Sequence, residues 1–370
     1  MFLLGLIILV ILFFYALLII RYAFGWSKIK RIPKGQFFPN VSVVIAMRNE
    51  EDQINDLIAG LQSQIYPKDK LEFILVNDHS SDNTLSLLEK YALTNLKILD
   101  MPEGEYGKKD AISMAVSIAR GEIILASDAD CGFSPNWVHS MVSYFINDNV
   151  KLVSGPVVFN SKEGVFQSLQ ALEFASLIGS GAGAIGINNA IFCNGANMAY
   201  RKEVFLEVNS FGNDSVVSGD DVFLLHSVKA KCANSIVFAK EEKAIVNTNS
   251  LQTFRDFVNQ RKRWAAKASR YKDIESIYVS YLVFFTNAAL IFLFVMLFVD
   301  VFFLYLFVIF YAIKFFVDQL LLYPTLTFLN RKYLIKWIFP FEFFYSFYII
   351  LIVFFSFTRN FEWKGRMHKK

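Results

Sequence analysis

The apolar residues of this chain are concentrated at its two ends, and the middle alternates between short apolar runs and polar turns. Residues 1–20 contain no charged side chain and are long enough, as a helix, to span a bilayer core of about 30 Å. A secretory signal peptide is the alternative, but no positive charge precedes the run and no small-residue cleavage site follows it. We therefore predict an N-terminal membrane anchor over residues 1–21.

Three more apolar runs lie near the other end, at residues 277–299, 301–322 and 337–357. We predict three spans within a C-terminal membrane region over residues 273–358. Lys314, Asp318 and Glu342 lie inside or beside these runs. Charged side chains at membrane depth usually face a bundle interior or a cavity, so the three residues are candidates for lining a path. A position near the membrane interface is the alternative.

Between the ends, residues 41–272 predict an α/β domain. Apolar runs of strand length at residues 41–46, 71–76, 96–100 and 122–127 alternate with segments of helical pattern. This alternation predicts a mostly parallel sheet covered by helices on both faces. Ser134 and Pro135 are typical of a helix start, as N-cap and first helical position. The small residues 179–186, GSGAGAIG, are expected to form a mobile loop.

The distribution of charge predicts how the chain is oriented. Residues 22–40 form a basic juxtamembrane linker without an acidic residue, so the positive-inside rule places the N-terminus outside and the α/β domain in the cytoplasm. We expect an integral protein of a bacterial inner membrane. Three C-terminal spans would put the basic tail, residues 359–370, outside, against the same rule. Either one C-terminal segment is interfacial or re-entrant, or the tail is an exception.

Composition excludes some classes of partner and site. The net charge of +4 comes largely from the membrane flanks, where basic residues face anionic lipid, so nucleic acid is not an expected partner. The 3 cysteines show no CxxC spacing, which gives no sign of a zinc site and fits a reducing compartment.

Polar clusters follow three of the predicted strands, where ligands bind in parallel sheets. They are Arg48-Asn49-Glu50, Asn77-Asp78 and Asp128-Ala129-Asp130. An Asp-X-Asp pair suits Mg²⁺ or Mn²⁺, although a turn is the commoner reason for an isolated pair. Lys108 opens a predicted helix, an unfavourable place for a cation unless an anion binds there.

Two further groups have structural alternatives as well. Asp220 and Asp221 stand at a predicted helix start and could simply cap it. Gln260, Arg263 and Trp264 precede the C-terminal spans and could be a snorkelling cluster at the membrane interface.

Together, however, these segments follow the order and spacing of one family. VSVVIAMRNEE, VNDHSSDNT, GKKDAI, SDADC, GDD and QRKRW resemble the motifs of family-2 glycosyltransferases of the GT-A fold. The resemblance is to the membrane-embedded branch that includes cellulose, chitin and hyaluronan synthases and ceramide glucosyltransferase. It covers residues 41–264, and the Gln-X-X-Arg-Trp motif is the one that is specific by itself. The resemblance implies a GT-A domain over residues 41–272.

The resemblance also implies a donor site. Asp78 would accept a hydrogen bond from the uracil of a UDP-sugar, beside the strand end that carries Ala46, Arg48 and Glu50. Lys108 would lie near the nucleotide. Asp128 would hold the nucleotide side, and Asp130 would coordinate the Mg²⁺ or Mn²⁺ that bridges the diphosphate.

The remaining residues would form the acceptor side. By resemblance, Asp221 is the general base, with Asp220 beside it. Gln260, Arg263 and Trp264 would close over the diphosphate and line the acceptor site, and Gly195 and Asn197 would lie where the family binds its acceptor. Two departures weaken the match: Asn77 stands where many members carry an aspartate, and Met47 replaces the usual proline.

These inferences predict a membrane-bound, metal-dependent inverting glycosyltransferase that uses a UDP-sugar. A single addition to a lipid or saccharide acceptor is favoured slightly, because four spans leave little room for a wide channel. The alternatives are a processive synthase that extends and extrudes a glycan, with partner proteins of an export pathway, and a non-catalytic sugar-nucleotide-binding subunit. His79 and His226 match no functional position of the family.

Overall fold

The computed structural model describes residues 2–31, 35–91, 93–160, 164–208, 220–268, 270–356, 360–363 and 366–369. The strands are, in chain order, β1 Val41–Met47, β2 Leu71–Asn77, β3 Leu96–Asp100, β4 Ile123–Asp128, β5 Leu152–Ser154, β6 Val157–Asn160, β7 Asn197–Arg201, β8 Ile236–Phe238, β9 Val246–Asn249, β10 Asn360–Trp363 and β11 Arg366–Lys369. The helices are α1 Phe2–Lys28, α2 Ile54–Gln62, α3 Thr84–Leu88, α4 Lys108–Ile118, α5 Trp137–Val142, α6 Val165–Gly186, α7 Lys202–Val208, α8 Asp220–Lys231, α9 Phe254–Ala268, α10 Ile274–Met296, α11 Val301–Phe328 and α12 Ile335–Ser356.

The central sheet has the strand order β3-β2-β1-β4-β7-β5-β8. Strands β1 to β4 run parallel to one another, and β7 is antiparallel to both β4 and β5. The chain moves outward from β1 to β3 and then returns to place β4 on the other side of β1. Ligands bind at such a switch point, beyond the carboxyl ends of the strands. The predicted α/β class is confirmed.

The strands are buried on both faces, which explains their unbroken apolar sequences. Val43, Val44 and Ile45 are consecutive residues of β1 and all three are fully buried, although they point alternately to opposite faces. Helix α4 packs against β1 and β2 through Ala111, Ala115 and Val116, which are also buried. Burying an aliphatic side chain contributes about 1.5–3 kcal/mol, so this core holds the strand ends in fixed register.

One apolar run of the sequence forms two strands. The run from residue 151 to 159 forms β5 in the central sheet and β6 in a second sheet, where β6 pairs with β9. The break falls at Gly155, where a Cβ atom would overlap the side chain of Asn197. Strand β9 lies next to the end of β4. Asn247 of β9 forms an isolated bridge with Gly132, which follows β4 in the chain.

The prediction of a mobile loop at residues 179–186 is wrong. These residues are the last turns of α6, which packs closely against α1. A Cβ atom at Gly183 would overlap the carbonyl oxygen of Tyr22, and one at Gly186 would overlap that of Gly25. Small residues therefore serve close contact between helix backbones here, as they do in membrane helix pairs, and do not give flexibility.

Two helix boundaries also differ from those predicted. Helix α5 begins at Trp137, after the predicted start at Ser134 and Pro135, because the Ser134 hydroxyl donates instead to the carbonyl oxygen of Lys243 at 2.5 Å. Helix α1 continues beyond residue 21 to Lys28. Its last turn is fixed by the Lys240 ammonium, which donates to the carbonyl oxygen of Trp26 at 2.8 Å and lies over its ring.

Four helices within the described residues are long and apolar enough to cross a membrane, namely α1, α10, α11 and α12. They coincide with the four apolar runs in the sequence. The expectation that Lys314, Asp318 and Glu342 line a path is wrong. The Lys314 ammonium contacts the Asp318 carboxylate at 2.7 Å and also the Glu342 carboxylate, and all three residues are buried. Tyr15 of α1 donates to Asp318 at 2.7 Å, so the charges are satisfied inside the bundle.

Helix α12 contacts the α/β domain near both of its ends. Just before it, the Arg331 guanidinium lies 3.5 Å from the side-chain oxygen of Asn247 in β9. Near its other end, the Tyr348 hydroxyl donates to Glu173 of α6 at 2.6 Å, and the Lys262 ammonium of α9 lies 4.9 Å from the centre of the Phe355 ring. Strands β10 and β11 form an antiparallel hairpin, and β10 also lies against α9.

Candidate active site

A cavity of about 890 Å³ lies at the carboxyl edge of β1, β2 and β4. Most of the residues singled out from the sequence line it: Ala46, Arg48, Glu50, Asp78, Lys108, Asp128, Asp130, Gly195, Asp221, Gln260, Arg263 and Trp264. The sheet register explains the convergence of the strand-end residues, because Met47 pairs with Asn77 and Ala46 pairs with Asp128. The roles of these residues remain predictions.

Asp78 occupies one end of the cavity, directly after β2. Its carboxylate accepts the N–H of Gly107 at 3.1 Å, and its side chain is almost fully buried. The Arg48 guanidinium donates to the carbonyl oxygens of Asp78 and His79, both at 2.9 Å. Arg48 therefore fixes the turn that carries Asp78, and a hydrogen-bonding carboxylate faces the cavity at a defined place.

The two carboxylates of the Asp-X-Asp pair contact different partners. Lys108 at the start of α4 donates to Asp128 at 2.5 Å. The Thr248 hydroxyl of β9 donates to Asp130 at 2.8 Å. Because neighbouring Asp128 and Asp130 are held from opposite sides, they can take separate parts in binding, as the resemblance implied. Thr248 was missed in the sequence, since only the bridge between β9 and Gly132 brings it here.

A divalent cation fits these residues in one way. The described residues contain no group of three or more His, Cys, Asp or Glu side chains that could hold a metal ion. Burial raises the pKa of the Cys131 thiol well above its usual value, and nearby Asp130 and Asp128 add to the shift, so the thiol stays neutral. Mg²⁺ is commonly held by one or two carboxylates together with substrate phosphates and water. The oxygen atoms of Asp130 suit that mode.

Asp221 also lines the cavity, in the first turn of α8. Its two carboxylate oxygens accept the N–H groups of Gly195 at 3.0 Å and Val222 at 2.8 Å. A Cβ atom at Gly195 would lie 3.3 Å from the Lys108 ammonium and 3.3 Å from the Asp221 Cβ, so only a small residue fits between them. The loop of Gly195 therefore links Lys108 to Asp221. The side chain of Asp220 lies outside the described residues.

Asn197 does not reach the cavity, contrary to its predicted place at the acceptor site. It is fully buried, and its amide group donates to the carbonyl oxygens of Pro156 and Ala244, both at 2.8 Å. Its side-chain oxygen accepts the indole N–H of Trp137 at 2.9 Å. Asn197 therefore joins the two sheets, and the cavity is lined instead by its neighbours Asn194, Gly195 and Ala196.

Helix α9 closes the cavity on the side of the membrane helices. Besides Gln260, Arg263 and Trp264, it contributes residues that sequence analysis missed: Arg255, Asp256 and Asn259. Asp256, Asn259, Gln260 and Arg263 recur at three- and four-residue spacing, which places them on one face of the helix. That periodicity was visible in the sequence, but the sequence did not say that the polar face meets a cavity and not solvent.

An aromatic wall completes the cavity, and only its Trp264 belongs to a sequence motif. Phe159 of β6 stacks on Phe174 of α6, with ring centres 4.4 Å apart, and Trp264 lies 6.2 Å from Phe174. These three rings line the side of the cavity next to α6 and α9. Such a wall can bind the apolar face of a sugar ring or an aliphatic group.

Neither histidine in the predicted binding segments lines the cavity within the described residues. His226 contacts the carbonyl oxygen of Ile191 at 3.2 Å, and burial lowers its pKa, so the ring is neutral at pH 7. The ring of His79 stacks against Tyr106, with centres 4.7 Å apart.

Comparison with known proteins identifies the domain. Residues 42–208 match the family model described as glycosyl transferase family 2. The chain is 28% identical over 186 residues to Glycosyltransferase AglE of Haloferax volcanii, a match over 49% of this chain and 59% of AglE. It is 27% identical over 184 residues to Poly-beta-1,6-N-acetyl-D-glucosamine synthase of Staphylococcus aureus, covering 48% of this chain and 43% of the synthase. The matches thus span about half the length of these relatives.

A solved structure shares the fold over nearly the whole chain. Mannosyltransferase PcManGT from Pyrobaculum calidifontis, in complex with GDP-Man and Mn²⁺, superimposes with a TM-score of 0.62 at 19% identity. The similarity covers 95% of this chain and 97% of PcManGT. The predicted family match, over residues 42–208, and the GT-A fold, flanked by apolar helices, are confirmed.

Proposed function

We propose that this chain, whose residues 42–208 belong to glycosyl transferase family 2, transfers a sugar from a UDP-sugar to an acceptor hydroxyl at the cytoplasmic face of a membrane. One observation carries the proposal: a single cavity at the switch point joins Asp78, the Asp128–Asp130 pair and Asp221 with the Gln260-to-Trp264 motif of α9. A candidate nucleobase-binding group, a candidate diphosphate-binding group and a candidate base thus line one cavity, which supports binding of a nucleotide sugar there.

The reaction follows from these positions. Asp221 takes the proton from the acceptor hydroxyl as that oxygen bonds to the anomeric carbon and the bond from this carbon to the diphosphate oxygen breaks. Arg263 faces the negative charge that develops on the departing diphosphate. Asp130 would hold Mg²⁺ or Mn²⁺, which supplies charge neutralisation at the diphosphate. A single base without a protein nucleophile gives one displacement, and hence inversion at the anomeric carbon.

The structure of the membrane helices supports addition of one or a few sugars to a lipid or saccharide acceptor. The interior of the bundle is filled where the ion cluster of Lys314, Asp318 and Glu342 meets Tyr15. A chain of sugars could not pass there without breaking buried ion pairs, at a cost of about 3–5 kcal/mol for each partner lost. The aromatic wall beside α6 and α9 offers an apolar surface for the acceptor.

A processive synthase is the second candidate, favoured by the similarity to the Staphylococcus aureus synthase over 184 residues. It would require an exit path other than the centre of this bundle, and partner proteins of an export pathway could provide one. A non-catalytic subunit is disfavoured, because both carboxylates of the Asp-X-Asp pair and Asp221 are retained at the cavity.

The catalytic domain and the basic tail lie on the same, cytoplasmic side of the membrane, in the bacterial inner membrane. A helix that crosses a bilayer separates its ends by about 30 Å on opposite sides, whereas α12 contacts the α/β domain through Arg331 before it and Tyr348 and Phe355 near its end. The middle of α12 enters the bundle, where Glu342 contacts Lys314, so we propose that α12 is a re-entrant segment that returns to the domain, while α1, α10 and α11 cross. This satisfies the positive-inside rule at the tail.

Reporter fusions test this orientation. A fluorescent protein that folds only in the cytoplasm should be bright when fused after residue 370, and alkaline phosphatase should be inactive there. The matched control is a phosphatase inserted between α10 and α11, after Val299, where activity is expected. An active phosphatase after residue 370 would mean that α12 crosses the membrane.

Nucleotide release tests the proposed reaction. Purified protein in lipid nanodiscs is incubated with a panel of UDP-sugars and GDP-mannose, with a membrane lipid extract and with Mn²⁺, Mg²⁺ or EDTA. We expect UDP release from one donor, dependent on the metal, with one labelled product of low mass. A ladder of products would favour the processive synthase, and no release with any donor would contradict the proposal.

A further inference from the structure

A buried polar cluster behind the cavity joins three helices and had no counterpart among the motifs. It consists of Glu173 of α6, Arg261 of α9 and Tyr348 of α12. The Arg261 Nε atom lies 3.1 Å from each carboxylate oxygen of Glu173, and a second guanidinium nitrogen also donates to that carboxylate. The Tyr348 hydroxyl donates to Glu173 at 2.6 Å, and Arg261 Nε lies 2.9 Å from the same hydroxyl.

This cluster does not itself line the cavity, but it touches residues that do. Arg261 donates to the side-chain oxygen of Gln260 at 2.5 Å. Its guanidinium carbon lies 4.2 Å from the centre of the Trp264 ring and 4.5 Å from that of Phe257, so the planar group is held between two rings. Gln260 and Trp264 both line the cavity. The orientation of each therefore depends on where Arg261 is held.

Glu173 determines that place. Arg261 is 2% exposed and Glu173 is 5% exposed, so neither charge can be compensated by water if its partner is lost. The bidentate contact fixes the plane of the guanidinium group, which a lysine could not reproduce. The residue after Glu173 is Phe174, whose ring centre lies 6.2 Å from that of Trp264 in the same aromatic wall. One ion pair thus fixes the positions of two rings of this wall relative to each other.

We infer that Glu173, Arg261 and Tyr348 are positioning residues, which hold Gln260 and Trp264 of α9 in place over the substrates and tie this helix to α12. The inference rests on the proposed function. The inference makes two predictions that separate a positioning role from a merely structural one. Loss of the cluster should impair turnover in protein that remains folded. The same loss should leave nucleotide binding at Asp78 and Asp128 intact.

The test uses Tyr348→Phe, Glu173→Gln and Arg261→Lys in the full chain. A misplacement of about 1 Å at reacting groups can cost on the order of 100-fold in rate. We expect kcat to fall about 10- to 100-fold in Glu173→Gln and Arg261→Lys, and less in Tyr348→Phe, while the Kd for UDP with Mn²⁺ changes less than about threefold. Arg261→Lys keeps the charge and should fail to rescue, because it loses the fixed plane and the stacking.

The matched control is Glu72→Gln, which breaks another partly buried ion pair, with Lys97 at 2.8 Å, far from the cavity. Thermal unfolding is measured for every variant, and rates are compared only among folded protein. If Glu173→Gln and Tyr348→Phe retain the kcat of Glu72→Gln, or if Arg261→Lys behaves as wild type, the positioning role is overturned while the proposed function stands. Wild-type protein that releases no nucleotide would overturn the proposed function and this inference with it.

Discussion

Replacing Asp221 with Asn is expected to lower kcat by about 10²- to 10⁴-fold, because general base catalysis typically contributes that much. The amide cannot take the proton of the acceptor hydroxyl. It keeps a similar shape and can still accept one of the two N–H groups, from Gly195 and Val222, that hold the carboxylate. The measurement is sugar transfer to the acceptor under saturating UDP-sugar and metal.

Two controls separate chemistry from folding in this variant. Asp148→Asn removes a carboxylate that is fully exposed, far from the cavity, and should leave kcat unchanged. The Kd for UDP should also be unchanged in Asp221→Asn, since we propose that Asp78 and Asp128 bind the nucleotide. Thermal unfolding shows whether the lost N–H contact, at a cost of about 1–3 kcal/mol, has reduced the folded fraction. Wild-type turnover in the folded variant would exclude Asp221 as the base.

Replacing Asp130 with Asn is expected to remove metal-dependent turnover. A metal ion at the diphosphate stabilises the transition state by several kcal/mol, and each 1.36 kcal/mol corresponds to a factor of ten, so we expect a loss of about 100-fold or more. Binding of Mn²⁺ in the presence of UDP, followed by the electron paramagnetic resonance signal of the free ion, should be lost in parallel.

Thr248→Val provides a graded comparison for Asp130. The valine keeps the size of the side chain but no longer donates to Asp130, a contact of 2.8 Å. Residues that orient a metal ligand typically contribute about 10- to 100-fold to metal affinity. Raising the Mn²⁺ concentration should therefore restore turnover in Thr248→Val and fail to do so in Asp130→Asn. Equal metal dependence in Asp130→Asn and wild type would exclude Asp130 as the ligand.

The strand-end residues could be predicted because they depend on local sequence and on one general property of parallel sheets. Asp78 and Asp128 each follow an apolar run of strand length, and carboxyl ends of parallel strands meet at one edge. The pairing of Met47 with Asn77 and of Ala46 with Asp128 places them together as expected. A turn or a helix cap can explain any one of these motifs, but not the order and spacing of all of them together.

Other predictions failed where the partner of a segment was unknown. Glycines and alanines at residues 179–186 have the same local preference whether they form a loop or a close helix contact. The approach of α1 at Gly25 decides between the two, because only glycine admits backbone atoms at that distance. The prediction for Asn197 failed for a related reason, since its side chain donates to the carbonyl oxygens of Pro156 and Ala244, which precede β6 and β9.

The charged residues in the membrane segments show the same limit of prediction from sequence, because their partners are unknown. Sequence position indicates that Lys314, Asp318 and Glu342 are at membrane depth, and physical chemistry requires each to have a partner. It does not indicate whether the partner is water in a path or another side chain. Helices α11 and α12 bring the three together, with Tyr15 from α1, so each charged group has a polar side-chain partner.

By itself, the sequence determined the apolar helices, the parallel sheet and the carboxylates at its edge, because periodicity and strand ends are local properties of the chain. Only the tertiary structure decided which side chains from distant parts of the chain contact one another. Thr248 reaches Asp130 from more than a hundred positions away, and Glu173 reaches Arg261 and Tyr348 on two other helices. Such contacts depend on how whole elements pack, and packing is fixed by the shape of the complete core.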